Sequence, residues 1–265
     1  MAVIKLLEAY GVCVMPIVAM LNQKGGVGKT TSALNLGAGL LKLGKTVLMV
    51  DLDPQANLTY SLNIHAHNID LSICDLLKGE ATFNEVLIER DGLKIIPSNL
   101  DLSGAEIEFS AIPGREFLLK EVLEGSNSYD YVFIDCPPSL GLLTLNALTT
   151  ASEVFIPLQT EFLPMQGMAK LLQTIEVVKK RLNSSLEITG IICTRFDGRK
   201  RLNREVVSKI EEHFGSKVFR TYIRENISLA EAPSFGKTIF EYKPDSHGAE
   251  DYLSLSKEIT EREDK

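Results

Sequence analysis

The chain has 265 residues, a net charge of −7, 45% hydrophobic and 24% charged residues. That composition excludes a disordered chain and allows a large core. The acidic balance excludes a surface that attracts nucleic acid as a whole, and no apolar run approaches the ~20 residues of a membrane span.

Residues 1–15 are apolar, with Lys5 their only basic residue. A signal peptide needs a spacer before the folded domain, and a strand begins directly after Pro16. The expectation is a short N-terminal extension over residues 1–15, or a start at Met15, followed by one domain over residues 16–265. Residues 17–20 read as a strand, and residues 31–43 as a helix closed by Gly44. Between them lies LNQKGGVGKTT, residues 21–31. Strand, glycine-rich turn and helix together are the setting of a phosphate-binding loop, whose backbone N–H groups and helix N-terminus close around anionic oxygens. Lys29 can reach the β- and γ-phosphates, and the Thr30 hydroxyl can ligate Mg²⁺. The ordinary pattern is G-x-x-x-x-G-K-[ST]. Gln23 stands where its first glycine belongs, and Lys24 follows. Two lysines flanking one nest carry more charge than one nucleotide in one subunit needs.

Residues 47–50 are a continuous apolar run, as in a strand covered on both faces, with Asp51 and Asp53 at its C-terminal end, where ligands of open α/β sheets bind. Asp-Pro also starts turns, so a capped turn is the competing reading of both acids. Residues 57–70 read as polar loop, 72–78 and 82–88 as short helices, 93–96 as a strand and 116–123 as an amphipathic helix. The strand at 129–134 ends in Asp135, the Mg²⁺-supporting half of a phosphate-loop NTPase. Strands follow at 154–158, 186–193 and 218–223, and helices at 165–182 and 202–214. Residues 225–239 read as a loop with a short turn, and residues 251–261 as a closing polar helix. Cys13, Cys74, Cys136 and Cys193 form no C-x-x-C pair and no zinc spacing, so they read as buried, reduced thiols. Strands alternate with helices throughout, which predicts a single α/β domain with a doubly wound, mostly parallel sheet and helices on both faces.

Three stretches, KGGVGKTT at 24–31, VDLDPQANLT at 50–59 and YDYVFIDCPPSLG at 129–141, together resemble the ParA/Soj branch of the deviant phosphate-loop ATPases, relatives of MinD. A fourth, NISLAEAPSFGKTI at 226–239, is similar to the Soj-type pattern, and the resemblance spans residues 16–252. It implies a weak ATPase that uses ATP and Mg²⁺. Gly25, Gly26, Val27, Gly28, Lys29, Thr30 and Thr31 would wrap the phosphates. Lys24 matches the signature lysine that reaches a partner's nucleotide across a two-fold interface. Asp53 matches the acid that orients the attacking water beside the metal, Asp135 supports Mg²⁺ through water, and Asn226 falls where the family contacts the adenine. Arg224 stands where the family often has proline.

The resemblance further implies an ATP-bound homodimer that binds double-stranded DNA non-specifically, a ParB-like centromere-binding partner that stimulates hydrolysis, no stable membrane anchor, and a cytoplasmic, nucleoid-associated setting. For DNA, Arg199 matches a basic position of the family, with Lys200 and Arg201 beside it, while Ser228 replaces another such arginine. A solvated loop-helix face is the bland reading of that basic run. The alternative is a MinD-like membrane ATPase that regulates division or positions another cargo. That needs a basic amphipathic C-terminal helix, and this chain ends in the acidic EDYLSLSKEITEREDK. A metabolic enzyme of the same fold would lack the lysine at position 24.

Overall fold

The computed structural model describes residues 15–123, 128–161 and 165–263. The extension expected over residues 1–15 therefore lies, apart from Met15, outside the described residues. The strands are β1 (Ile17–Met20), β2 (Val47–Asp51), β3 (Ile88–Arg90), β4 (Leu93–Ile96), β5 (Tyr131–Asp135), β6 (Glu153–Gln159) and β7 (Glu187–Thr194). They form one sheet in the order β3-β4-β2-β5-β1-β6-β7, parallel except for β3 at one edge. The expected doubly wound architecture is present.

The central strands β2 and β5 are apolar up to their terminal Asp51 and Asp135 because both faces are covered. Successive side chains alternate between two cores. In β5, Val132 and Ile134 join one and Tyr131 and Phe133 the other; in β2, Leu48 and Val50 are separated from Val47 and Met49 in the same way. The helices are α1 (Lys29–Lys42), α2 (Asn57–Ser61), α3 (Ile73–Lys78), α4 (Phe83–Val86), α5 (Asp101–Phe109), α6 (Leu118–Val122), α7 (Leu142–Thr150), α8 (Met165–Arg181), α9 (Arg201–Phe214), α10 (Ile227–Glu231), α11 (Ile239–Tyr242) and α12 (His247–Glu263). Helices α3–α9 cover the first core, and α1, α2 and α10–α12 the second.

Several local readings differ from the structure, each for a physical reason. Residues 57–70 hold α2 and a 3₁₀ turn (Ala66–Asn68) rather than open loop. Asp51 accepts hydrogen bonds from the Thr59 backbone and hydroxyl, a tertiary tie that polar composition conceals. Residue 88, read as the end of a helix, is instead the first residue of β3. Asp91 and Gly92, both at positive φ, make the two-residue hairpin turn that Asp-Gly favours. Residues 218–223 run beside β7 with isolated bridges only, because the Arg220 and Thr221 N–H groups donate to Glu258 of α12. Residues 226–239 contain α10 and a 3₁₀ turn (Ala232–Phe235), started by the Asn226 side chain, which accepts from the Ser228 N–H.

The closing helix is neither as short nor as polar as expected. It begins at His247 and buries Ala249, Tyr252, Leu255 and Ile259 on the second core. Gly39 of α1 makes the close approach possible, since a Cβ there would stand 2.2 Å from Ser256 Oγ. No helix among the described residues is long and apolar enough to cross a membrane.

Candidate functional site

The C-terminal ends of β1, β2, β5, β6 and β7 converge on one crevice. Leaving β1, the backbone is pinned at once. The Leu21 N–H donates to Phe155 O, and Asn22 donates through Nδ2 to Pro157 O and accepts from the Lys24 N–H. The loop then turns through Gly26 and Gly28, with φ of 71° and 95°, values that suit glycine. At the N-terminus of α1, Gly28 supplies no side-chain cap and no acid lies in the first turn. The orphan N–H groups and the positive end of the helix dipole are thus left for an anion. Lys29, only 7% exposed, lies inside the nest and Lys24 on its rim. The sequence-expected residues 24–31 all come together here.

Three acids face this loop. Asp51 and Asp135 are register partners on adjacent strands. Asp51 receives bonds from Thr59 and from the Asp53 N–H, so it organises the turn that carries Asp53. Asp53 in turn accepts the Gln55 N–H, so the capped turn is present at Asp53 alongside its place in the crevice. Thr30 donates to Oδ2 of Asp135 at 2.6 Å, while Oδ1 of Asp135 is buried without a hydrogen-bond partner among the described residues. Burial, followed by the charge of Asp51, raises Asp135 well above the ordinary carboxylate range, against Thr30 and Lys29. Asp51 is pushed up to about 7, chiefly by burial and against its bonds from Thr59. Burial lowers Lys29, opposed by Asp135, Cys136 and Asp53. The site is short of positive charge in the position a divalent cation would take.

That orphan oxygen beside a threonine hydroxyl fits Mg²⁺. No cluster of three or more His, Cys, Asp or Glu among the described residues could hold a metal by itself. The cation would need phosphate oxygens to complete its shell, which is how Mg²⁺ usually binds with nucleotides. Cys136 lies next to Asp135, but burial pushes its thiol up and leaves it inert.

Beside the loop opens a cavity of about 600 Å³, lined among others by Gly28, Thr31, Thr194, Asn226 and Tyr252. Asn226 therefore sits where a base can lie next to bound phosphates. Arg224, on the same wall, gives its backbone N–H and its guanidinium to Asp251 and also bonds Glu250. A proline could make neither contact, so Arg224 ties this lip of the cavity to α12.

The basic run occupies the loop after β7 and the start of α9, at the same end of the sheet. Arg199 makes a two-pronged contact to Asp197, Lys200 bonds Glu225, and Arg201 bonds Glu205. The cluster is therefore closely matched by acids in the single chain. Ser228 is buried, and its backbone N–H donates to the capping side chain of Asn226.

Asn22, Gln159 and Thr194 were not legible as site residues. Gln159 Oε1 accepts from Lys24 Nζ, its Nε2 donates to Gly26 O, and Thr194 Oγ1 donates to Val27 O. The available signal was the one that exposed Asp51 and Asp135: a polar side chain at the C-terminal end of a buried strand.

A family model described as an AAA domain matches residues 15–188. The chain is 48% identical over 245 residues to the chromosome-partitioning ATPase Soj of Treponema pallidum (strain Nichols), covering 91% of this chain and 96% of that one. It is 43% identical over 252 residues to the chromosome partitioning protein ParA of Caulobacter vibrioides (strain NA1000 / CB15N), covering 93% and 94%. Among solved structures it is similar to cobyrinic acid a,c-diamide synthase from Mycobacterium smegmatis with bound ATP analog and magnesium. There the TM-score is 0.82 and the identity 36%, over 92% of this chain and 93% of that one.

Proposed function

This chain belongs to the Soj/ParA family of chromosome-partitioning ATPases, and we propose that it works as a partition ATPase itself. It binds ATP and Mg²⁺, closes on a second copy as a sandwich dimer and holds double-stranded DNA non-specifically. It lets go when a ParB-like centromere-binding partner stimulates hydrolysis. Its setting is the cytoplasm, on the nucleoid, and its cargo a chromosome or plasmid. The observation that carries this reading is the orphaned Asp135 oxygen beside Thr30, at the foot of an uncapped helix N-terminus with two lysines around it.

In this reading the N–H groups of residues 25–31 hold the phosphates, Lys29 neutralises the β- and γ-oxygens, and Thr30 and Asp135 hold the Mg²⁺. When bound, Mg²⁺ neutralises phosphate charge that builds up as the γ-phosphoryl group leaves. Asp53 orients the attacking water beside the metal. Asp51 acts through the turn it organises, fixing where Asp53 points. Asn226 meets the adenine. The chemistry rests on positioning and charge rather than covalent catalysis, so a site completed only in the dimer turns over slowly when alone.

Two facing γ-phosphates repel each other, and Lys24 from each chain would offset that repulsion. Lys24→Ala is therefore expected to bind ATP with near-parental affinity and to stay a single chain. Light scattering with ATP–Mg²⁺, in the hydrolysis-deficient Asp53→Ala background, reads this directly. A Lys24→Ala dimer as stable as its parent would overturn the role of Lys24. The MinD-like alternative has less support, because Ala249, Tyr252, Leu255 and Ile259 of α12 are buried against the second core and are not offered to a membrane.

A further inference from the structure

We propose that Gln159 is a positioning residue: it holds Lys24 against its own loop in the single chain and releases that lysine when two ATP-loaded chains meet. The inference rests on the sandwich reading above and adds the residue that gates it. Gln159 is the last residue of β6, 8% exposed. Its Oε1 accepts from Lys24 Nζ at 2.8 Å, and its Nε2 donates to Gly26 O at 2.7 Å. The chemistry fixes this orientation, since an ammonium only donates and a carbonyl only accepts. A carboxylate could serve Lys24 but not Gly26, and an apolar side chain could serve neither.

Gln159 pairs in register with Thr194 on β7, whose hydroxyl donates to Val27 O at 2.9 Å. Two neighbours on adjacent strands thus take two consecutive loop carbonyls. In a trans peptide the N–H points opposite to the C=O. Drawing the Gly26 and Val27 carbonyls toward the strands turns the Val27 and Gly28 N–H groups the other way. The loop is held by the ends of β6 and β7 in the conformation its anion site needs.

Lys24 is different from the rest of the loop. Its backbone N–H is anchored separately, to Asn22 Oδ1, and its C=O lies 3.5 Å from Lys29 Nζ. Its main chain can therefore stay in place while its exposed side chain changes partner. To reach a phosphate on the other chain, the Lys24 ammonium must leave Gln159. Each dimer exchanges two such bonds, one per chain, for two bonds to phosphate. Gln159 therefore stabilises nucleotide binding in the single chain and opposes premature pairing.

Gln159→Met, which keeps the side-chain length and apolar stem but removes the amide, separates these effects. Relative to the Asp53→Ala parent, the doubly substituted protein is expected to bind ADP about fivefold more weakly, because Gly26 O loses its donor. At saturating ATP it is expected to dimerise about tenfold more tightly, because the Gln159 bond no longer opposes the move of Lys24. Equilibrium binding of a fluorescent ADP and sedimentation at saturating ATP measure the two quantities, and thermal melting reports stability beside them. A merely structural role would weaken both together as the melting temperature fell, and that result overturns the proposal. So does unchanged ADP affinity with unchanged dimerisation. If the parent fails to dimerise at saturating ATP, the sandwich reading itself is wrong and the release of Lys24 falls with it. If the parent dimerises and Gln159→Met does not differ from it, only the role of Gln159 is wrong.

Discussion

ATP turnover by Asp53→Ala is expected to fall roughly a thousandfold with nucleotide affinity kept, whereas Lys29→Ala is expected to lose nucleotide binding itself. In the proposed mechanism the two residues face the same phosphates with different jobs. Lys29 is buried among Asp53, Asp135 and Cys136, so its removal leaves acidic groups without their counter-charge where the phosphates must sit. Affinity for ATP and ADP alike is expected to drop more than about a hundredfold. Asp53 makes no such contribution to binding, since one carboxylate more or less beside a triphosphate does not hold it. In the proposed mechanism its loss removes the group that aligns water for attack. Asp53 also accepts the Gln55 N–H, and losing that bond costs about 1 kcal/mol of stability. Asp53→Asn keeps an acceptor for the turn and is expected to lose turnover without losing stability. Equilibrium binding, single-turnover hydrolysis and thermal melting on the three proteins separate binding, chemistry and folding. Turnover by Asp53→Ala at the parental rate contradicts the water-orienting role.

Reversing charge at Arg199 and Arg201 together is expected to lower DNA affinity roughly a thousandfold at about 50 mM salt and to leave ATP-dependent dimerisation intact. Their side chains are 91% and 85% exposed, so they can reach a phosphate. Their bonds to Asp197 and Glu205 are surface ion pairs, worth roughly 0–1 kcal/mol each, and a DNA phosphate can displace them. One chain offers too little free positive charge for appreciable affinity. Two chains side by side double the patch, and the phosphate contacts release counterions together. The same change is expected to flatten the dependence of affinity on salt, because fewer phosphates are neutralised. Buried Ser228 adds no charge, which places the burden on residues 199–201. Gel shifts across a salt series, with scattering on the same samples, check both halves. Unchanged DNA binding by a dimer carrying Arg199→Glu and Arg201→Glu contradicts this surface.

The phosphate loop, the two acid-tipped strands and the sheet class were legible because each has a short-range pattern: glycines at fixed offsets, apolar runs ending in Asp, strands alternating with helices. What was missed depends on contacts distant in sequence. Gln159 reaches a loop more than a hundred residues earlier, and its place at the end of a buried strand does not name that partner. Residues 218–223 have strand composition, but Glu258 takes the N–H groups a strand would have used. The closing helix looked polar because its apolar residues recur at helical spacing among many charges, and the partner they pack on lies at the other end of the chain. The hairpin at Asp91-Gly92 was available in the sequence. Its signal was masked by reading 82–88 as one helix. The acids facing Arg199, Lys200 and Arg201 show the limit of counting cations along a chain, since Glu225 is adjacent in space and not in sequence.

ATP is expected to assemble a dimer whose surface holds duplex DNA without regard to sequence. The most direct measurement is DNA binding by the Asp53→Ala protein with ATP–Mg²⁺ and with ADP–Mg²⁺, on unrelated duplexes, from about 50 to 200 mM salt. The predicted result is a dimer with ATP only, similar affinity for every duplex, and a steep fall as salt rises. A dimer that binds no duplex even at the lowest salt contradicts the account and requires a protein or membrane surface in place of DNA.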